Sequence, residues 1–306
     1  MRLFSRRRLR WSVVTSAPPG AAGEQWGDTW FARDLVAALK LQGQDAKVIA
    51  RHRAHADERM QDEVVVVLRG LNEITPRRGP GAAWFLWVIS HPELVSEQEA
   101  ASYDTVFAAS RHWEPGFAEA MPLLQATNPQ RFTPRAAVAD SGAPVLFVGS
   151  TRGEFRPIVR DAIQAQLPLS LYGVGWEKFV EPTRINGEFL ANDQLPAAYA
   201  GAQVVLNDHH AHMAELGFLS NRLFDATATA TRVISDPALG IDEVFEGHVR
   251  TYASPDELRA LVLERETSFA SYDGREAFAR KVATEHSFAA RAAELIAHAQ
   301  QVRDSG

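Results

Sequence analysis

The sequence predicts an α/β protein built from two doubly wound domains with a cleft between them. Three observations predict it. Short apolar runs alternate with helix-period segments along the chain, the pattern of parallel strands and crossover helices. A length of 306 residues exceeds what one core usually holds and suits two domains of about 100–150 residues each. A passage with two prolines, Asn128-Pro129-Gln130-Arg131-Phe132-Thr133-Pro134, falls near the middle and reads as a hinge. The expected domains are therefore 1–130 and 131–285, followed by a last helix over 286–306.

Composition narrows the function classes. A net charge of −6 argues against general nucleic-acid binding, which needs a basic surface. Cysteine is absent, so disulfides, thiolate catalysis and cysteine metal sites are all excluded. No run approaches the roughly 18–20 apolar residues of a membrane span. The arginine-rich start, Met1–Arg10, lacks an apolar segment after it and reads as a frayed terminus. Contact with anionic lipid is the alternative, but stable anchoring needs a second signal. The expected place is the cytoplasm, at most the inner face of a membrane.

In the first half, Trp11–Ser16 reads as a strand and the Pro- and Gly-rich Ala17–Gly23 as irregular chain. Asp28 is the expected cap of a helix over Thr29–Gln42, with Gly43 ending it. The dinucleotide glycine spacing is missing, and the strand Asp45–Ala50 runs into Arg51 rather than an acid, so nicotinamide binding is not expected. Gly20, Gly23 and Gly27 are expected to let a loop approach a sugar or phosphate. Buried strands follow at Val64–Leu68, Trp84–Ile89 and Thr105–Ala109. Ser90-His91-Pro92-Glu93 lies at a strand's carboxyl end, where open α/β sheets place ligands. His91 is either a turn residue or a group that orients a hydroxyl or acts as general base. A helix over Arg111–Ala120, led by Ser110, and a short strand within Met121–Ala126 complete this half.

In the second half, Pro144–Gly149 is a strand, Ser150–Gly153 a loop and Glu154–Gln166 a helix. Arg152 and Arg156 either sit on the surface or pair bidentately with phosphate oxygens. The strand Leu169–Val174 ends in a tight Gly173-Val174-Gly175-Trp176 turn, whose Trp176 serves a nucleobase or the core. The stretch 203–236 is the centre of the reading. An apolar strand at 204–206, a His-rich loop with Gly217, a helix opening near Ser220 and a strand at Arg232–Ser235 follow in order. Capping by Ser220 or Asn221 leaves backbone N–H groups pointing outwards, a ready anion site. Arg222 adds charge there, Asp225 offers an acceptor for two ribose hydroxyls, and Asp208 at the strand end is a secondary donor contact. His209, His210 and His212 lack the spacing of a zinc site, so no metal is expected. A strand at His248–Tyr252, a helix starting at Ser254-Pro255 and helices over Ser271–Glu285 and Ser287–Arg303 end the chain.

Glu215-x-Gly217, Ser220-Asn221-Arg222-Leu223-Phe224-Asp225-Ala226 and Val233-Ile234-Ser235-Asp236 together resemble the nucleotide-sugar signature of glycosyltransferases of GT-B architecture, with two facing Rossmann-like domains. The likeness is to the spore-maturation-protein (CgeB-type) group, itself similar to the large retaining group 1 family. The two acids are spaced further apart than in that family, Asp225 replaces its usual Glu, and Ala230 a common Gly. The resemblance implies that Glu215 touches the donor hexose, Ser220 and Asn221 hold the diphosphate through backbone amides, and Asp225 binds ribose. It also implies phosphate contacts for Arg152 and Arg156, a functional His91, a final helix returning to the first domain, and chemistry without a metal or cofactor.

The function implied is transfer of a sugar from a nucleoside-diphosphate sugar to a glycan, cell-envelope polysaccharide or lipid-linked saccharide, with retention of configuration. For inversion, His91 or Asp28 is the expected base. The alternatives are a nucleotide-sugar epimerase, which turns over without acceptor, and a non-catalytic sugar-nucleotide or glycan-binding partner.

Overall fold

The computed structural model describes residues 8–53, 62–76 and 81–304. The Met1–Arg7 part of the basic arm lies outside them. The chain forms two compact units, one of Met1–Leu124 with Phe288–Gly306, the other of Gln125–Ser287.

The first unit runs β1 (Arg10–Thr15), α1 (Gly20–Glu24), α2 (Gly27–Leu41), β2 (Asp45–Ala50), β3 (Val64–Arg69), β4 (Ala83–Val88), α3 (Glu97–Ala101), β5 (Thr105–Ala108) and β6 (Ala120–Pro122). All pairings are parallel, in the order β2-β1-β3-β4-β5-β6. Every residue of β3 and β4 is buried, as strands covered on both faces must be, which is why these segments read as unbroken apolar runs.

Three expectations fail here. No helix forms over 111–120, because Pro115 interrupts it and Gly116 turns the chain with φ 75°. The Pro- and Gly-rich 17–23 stretch does contain a helical turn, α1. There Gly23 packs on the backbone, since a Cβ would lie 2.0 Å from the Pro18 carbonyl oxygen, and Thr29 Oγ1 donates to its carbonyl. That close approach serves the fold and not a ligand. Finally, Asp28 is not the cap of α2. Trp26 holds that position and Asp28 lies in the first turn, where the helix dipole favours an acid.

The second unit runs β7 (Val145–Val148), α4 (Pro157–Gln164), β8 (Leu169–Tyr172), β9 (Ile185–Gly187), α5 (Leu195–Gly201), β10 (Val204–Asn207), α6 (Ala211–Glu215), α7 (Asn221–Ala228), β11 (Arg232–Ser235), α8 (Ile241–Phe245), β12 (Val249–Thr251), α9 (Pro255–Leu263), α10 (Arg265–Ser268) and α11 (Tyr272–Glu285). Its six strands are again parallel, in the order β12-β11-β10-β7-β8-β9. The order reverses between β7 and β10, which creates a crevice at their carboxyl ends.

The passage 128–134 belongs to this unit. Phe132 is buried and stacks on Tyr199, Arg131 donates to Asn192, and Thr127 bridges to Ser287. The last helix, α12 (Phe288–Asp304), belongs to the first unit. It sets Phe288 edge-on to Phe31 at 4.7 Å and His298 between Phe85 and Phe107.

Candidate active site

In the first unit the polar groups gather at the carboxyl ends of β1, β3 and β4. Gly70 is the centre. A Cβ there would lie 3.1 Å from Asp28 Oδ2, 3.4 Å from Ser16 Oγ and 3.6 Å from Ser90 Oγ. Loss of hydration pushes the Asp28 carboxyl up to about 6, against the opposing attraction of His91. A carboxyl in that range is suited to proton transfer near neutral pH. His91 takes a left-handed conformation, φ 53° and ψ 51°, that a non-glycine residue rarely adopts, and its Nδ1 lies 3.0 Å from Glu93 Oε1. Both candidate bases named from the sequence therefore converge.

Arg69, unnoticed in the sequence, holds this corner. It is buried and forks onto Glu99, with Nε donating to Oε1 at 2.6 Å and Nη2 to Oε2 at 3.1 Å. It also donates to the carbonyls of Gly70 and Leu94, which brace both sides of the His91 turn. An arginine inside an apolar strand pattern was the available signal.

In the second unit three arginines gather where β7 and β10 end. Arg156 is 1% exposed. Its Nε and Nη2 donate to the two carboxylate oxygens of Asp208, and its Nη1 to the Ser150 carbonyl at 3.0 Å. Arg222 donates to Asn207 Oδ1 at 2.9 Å and to the Val148 carbonyl. Both guanidiniums lie over the Phe147 ring, at 4.6 and 5.0 Å. Gly149 makes room for them, because a Cβ would come within 2.8 Å of Arg156 Nη1 and 3.1 Å of Arg222 Nη2.

Arg152 occupies the tight turn after β7, with φ 58°. Desolvation and repulsion from Arg222 lower its guanidinium to about 10. Since the residue is exposed, the repulsion is the part that matters, and Arg152 stays charged at neutral pH. Burial, with repulsion from Arg152 and Arg222, likewise lowers Arg156, but its fork onto Asp208 holds it charged. Asp208 matches the charge of Arg156, which leaves Arg152 and Arg222 as the guanidiniums of this cluster best placed to meet an anion.

Several residues differ from their sequence expectation. Asp208 is buried against Arg156 and orients it, so it is no donor contact. Trp176 is fully buried, edge-on to Phe147 at 5.9 Å, and donates to the Gly149 carbonyl. It is core and offers no face to a base. Gly175 adopts φ 85° and leaves space for Thr151, whose Oγ1 would lie 2.6 Å from a Cβ. Gly217 ends α6 in the left-handed conformation, with its own N–H and that of Phe218 closing back on Ala214 and Met213. The His-rich loop is partly helical, since α6 runs through it. Glu215 is exposed at the end of α6, and no bond or ion pair ties it to the arginines.

The Ser220 amide, expected to face a diphosphate, is already engaged: it donates to His209 Nε2 at 3.0 Å. The Ser220 hydroxyl makes no capping bond. Asn221 Nδ2 donates to Asp225 Oδ2 at 2.8 Å, one helical turn away, and Thr127 Oγ1 donates to Oδ1 at 2.8 Å. Asp225 thus already acts as a two-point acceptor. Among the described residues, no cluster of three His, Asp or Glu side chains is placed to hold a metal ion. No helix among them is long and apolar enough to cross a membrane.

Residues 152–297 match the family model described as glycosyl transferase-like. The fold of the whole chain is similar to that of AviGT4, a glycosyltransferase involved in avilamycin A biosynthesis, at 17% identity and TM-score 0.69, covering 97% of this chain and 99% of that one. It is also similar to sucrose-phosphate synthase from Thermosynechococcus elongatus, at 13% identity and TM-score 0.64, covering 98% and 100%. A third likeness is to T4 phage BGT in complex with UDP and Mn2+, at 11% identity and TM-score 0.58, covering 96% and 99%. No curated protein sequence matches the chain.

Proposed function

We propose, for a chain whose fold is that of GT-B glycosyltransferases and whose residues 152–297 match the glycosyl transferase-like family model, the transfer of a sugar from a nucleoside-diphosphate sugar to a glycan or cell-envelope polysaccharide acceptor. The observation that carries this reading is the cluster of Arg152, Arg156 and Arg222 at the crevice between β7 and β10. A departing diphosphate gains charge in the transition state, and fixed guanidiniums stabilise that charge without reorganising. They supply the role a divalent cation would otherwise play, so turnover should persist in a chelator. In the retaining route the acceptor oxygen bonds the anomeric carbon as the bond to the diphosphate oxygen breaks, and the diphosphate takes the acceptor's proton. In the inverting route Asp28 or His91 takes it. The setting we propose is the cytoplasm or the inner face of a membrane, with lipid-linked saccharides among the acceptors.

Titration calorimetry with UDP, TDP, GDP and CMP tests the donor site. UDP comes first because the T4 phage structure holds it. One diphosphate is expected to bind, and Asp225→Ala to weaken it by about 1–3 kcal/mol, the worth of a charged hydrogen bond to ribose. If none binds, the donor reading fails. Gly149→Ala is expected to push the Arg156 and Arg222 guanidiniums apart and weaken the same ligand about tenfold in the same titration. Turnover of the nucleotide sugar without any acceptor would instead favour an epimerase.

A further inference from the structure

A closed ring of hydrogen bonds lies beneath the arginine cluster. Arg222 Nη1, on α7, donates to Asn207 Oδ1 at the end of β10. Asn207 Nδ2 donates to Ser235 Oγ at the end of β11, at 2.9 Å, and Ser235 Oγ donates to Asp236 Oδ1 at 2.9 Å. Asp236 Oδ1 lies 2.6 Å from His209 Nδ1, and Asp236 Oδ2 accepts the His209 backbone N–H at 2.9 Å. His209 Nε2 accepts the N–H of Ser220, the residue at the cap position of α7, at 3.0 Å. The path leaves α7 through the side chain of Arg222 and returns through the backbone amide of its cap residue.

The ring assigns the His209 tautomer. An N–H donor faces Nε2, so the ring proton sits on Nδ1 and is donated to Asp236. The imidazole side chain is fully buried. Burial pushes the Asp236 carboxyl up, but its bonds from His209 prevail and hold it below the usual aspartate range. His209 is therefore a buried acceptor aimed at the start of a helix, although a helix start more often receives an acceptor from its own cap. The Ser220 side chain makes no capping bond, and His209 instead accepts the cap residue's own N–H, the bond that a capping-box acid would otherwise make.

We propose that His209, oriented by Asp236, is a positioning residue for donor binding: it fixes the start of α7 in register with Arg222, so that amide groups and guanidinium meet one diphosphate together. This rests on the donor reading above. His209 touches no substrate and acts through Ser220 and the ring.

The experiment is titration calorimetry with whichever of UDP, TDP, GDP and CMP the wild-type full chain binds, paired with thermal unfolding of each variant. His209→Leu removes the acceptor and is expected to weaken the ligand about tenfold. His209→Gln can again present an oxygen to the Ser220 N–H and is expected to stay within about threefold of wild type. Asn207→Ala opens the ring elsewhere. Combined with His209→Leu it should cost less than the sum of the two, because the second cut falls in a ring already open. If His209→Leu folds and binds as tightly as wild type, or if His209→Gln is as weak as His209→Leu at equal thermal stability, the proposal is overturned. Wild type that binds none of the four nucleotides overturns the donor reading instead, which separates the two failures.

Discussion

Arg156→Ala is expected to destabilise the second unit by about 3–5 kcal/mol, the cost of leaving one charge of a buried pair without its partner. Asp208 is 2% exposed and both its oxygens face the Arg156 guanidinium, so the substitution leaves its buried charge without that partner. The same substitution removes one of the two cations over Phe147 and the donor to the Ser150 carbonyl. Hydrogen exchange at the amides of β7 and β10 measures the loss within this unit, whatever the other unit does. Pairing Arg156→Ala with Asp208→Leu should recover much of it, because removing both ends of a buried pair is cheaper than removing one. Additive losses would show that the two side chains are not a coupled unit. Nucleotide binding should be weakened in the single and the double variant alike, since both lack the Arg156 guanidinium. Stability and binding thus separate in the double variant, where the first recovers and the second does not.

The residues whose placement was legible in the sequence are those that local pattern fixes. Arg152, Arg156 and Arg222 stand next to strand ends and helix starts that apolar runs mark out, and Asp225 lies one turn from Asn221, a spacing any helix provides. The two sheets were legible for the same reason, since β3, β4, β7 and β10 are continuous apolar runs. What was not legible depends on partners distant in the chain. Asp236 meets His209 across 27 residues, and Thr127 meets Asp225 across 98. Nothing within the string His209-His210-Ala211-His212 distinguishes a buried acceptor from a solvated loop. Trp176 stayed open between base and core because a tryptophan after Gly-x-Gly can turn either way, and its indole N–H found the Gly149 carbonyl inside the core. The missing helix at 111–120 was a local error: Pro115-Gly116 outweighs the run of helix-forming residues after it.

Asp28→Asn is expected to abolish most turnover in an inverting reaction and at the same time stabilise the first unit. The two effects have one cause. Asp28 carries a carboxyl raised from an ordinary 3.8 to about 6 by loss of hydration near Gly70. Below pH 3.8 it is protonated whether the chain is folded or not, and it contributes nothing to the pH dependence. Between 3.8 and about 6 the unfolded chain gives up the proton while the folded chain keeps it, so stability falls as pH rises. Above about 6 the folded chain carries the charge as well, and the penalty is complete. Its size is about 1–3 kcal/mol, less than the full linkage value because the residue is partly open to solvent. The stabilisation from Asp28→Asn should therefore be largest at pH 7–8 and vanish near pH 4, as read from thermal unfolding across that range. Kinetics supply the other half. If Asp28 is the base, wild-type kcat/KM should fall with acidification through about pH 6, and Asp28→Asn should lose about 10²–10⁴-fold in rate together with that limb. A variant that gains stability with this pH profile yet keeps its rate would place the carboxyl outside the chemistry and favour the retaining route, in which the diphosphate itself receives the proton.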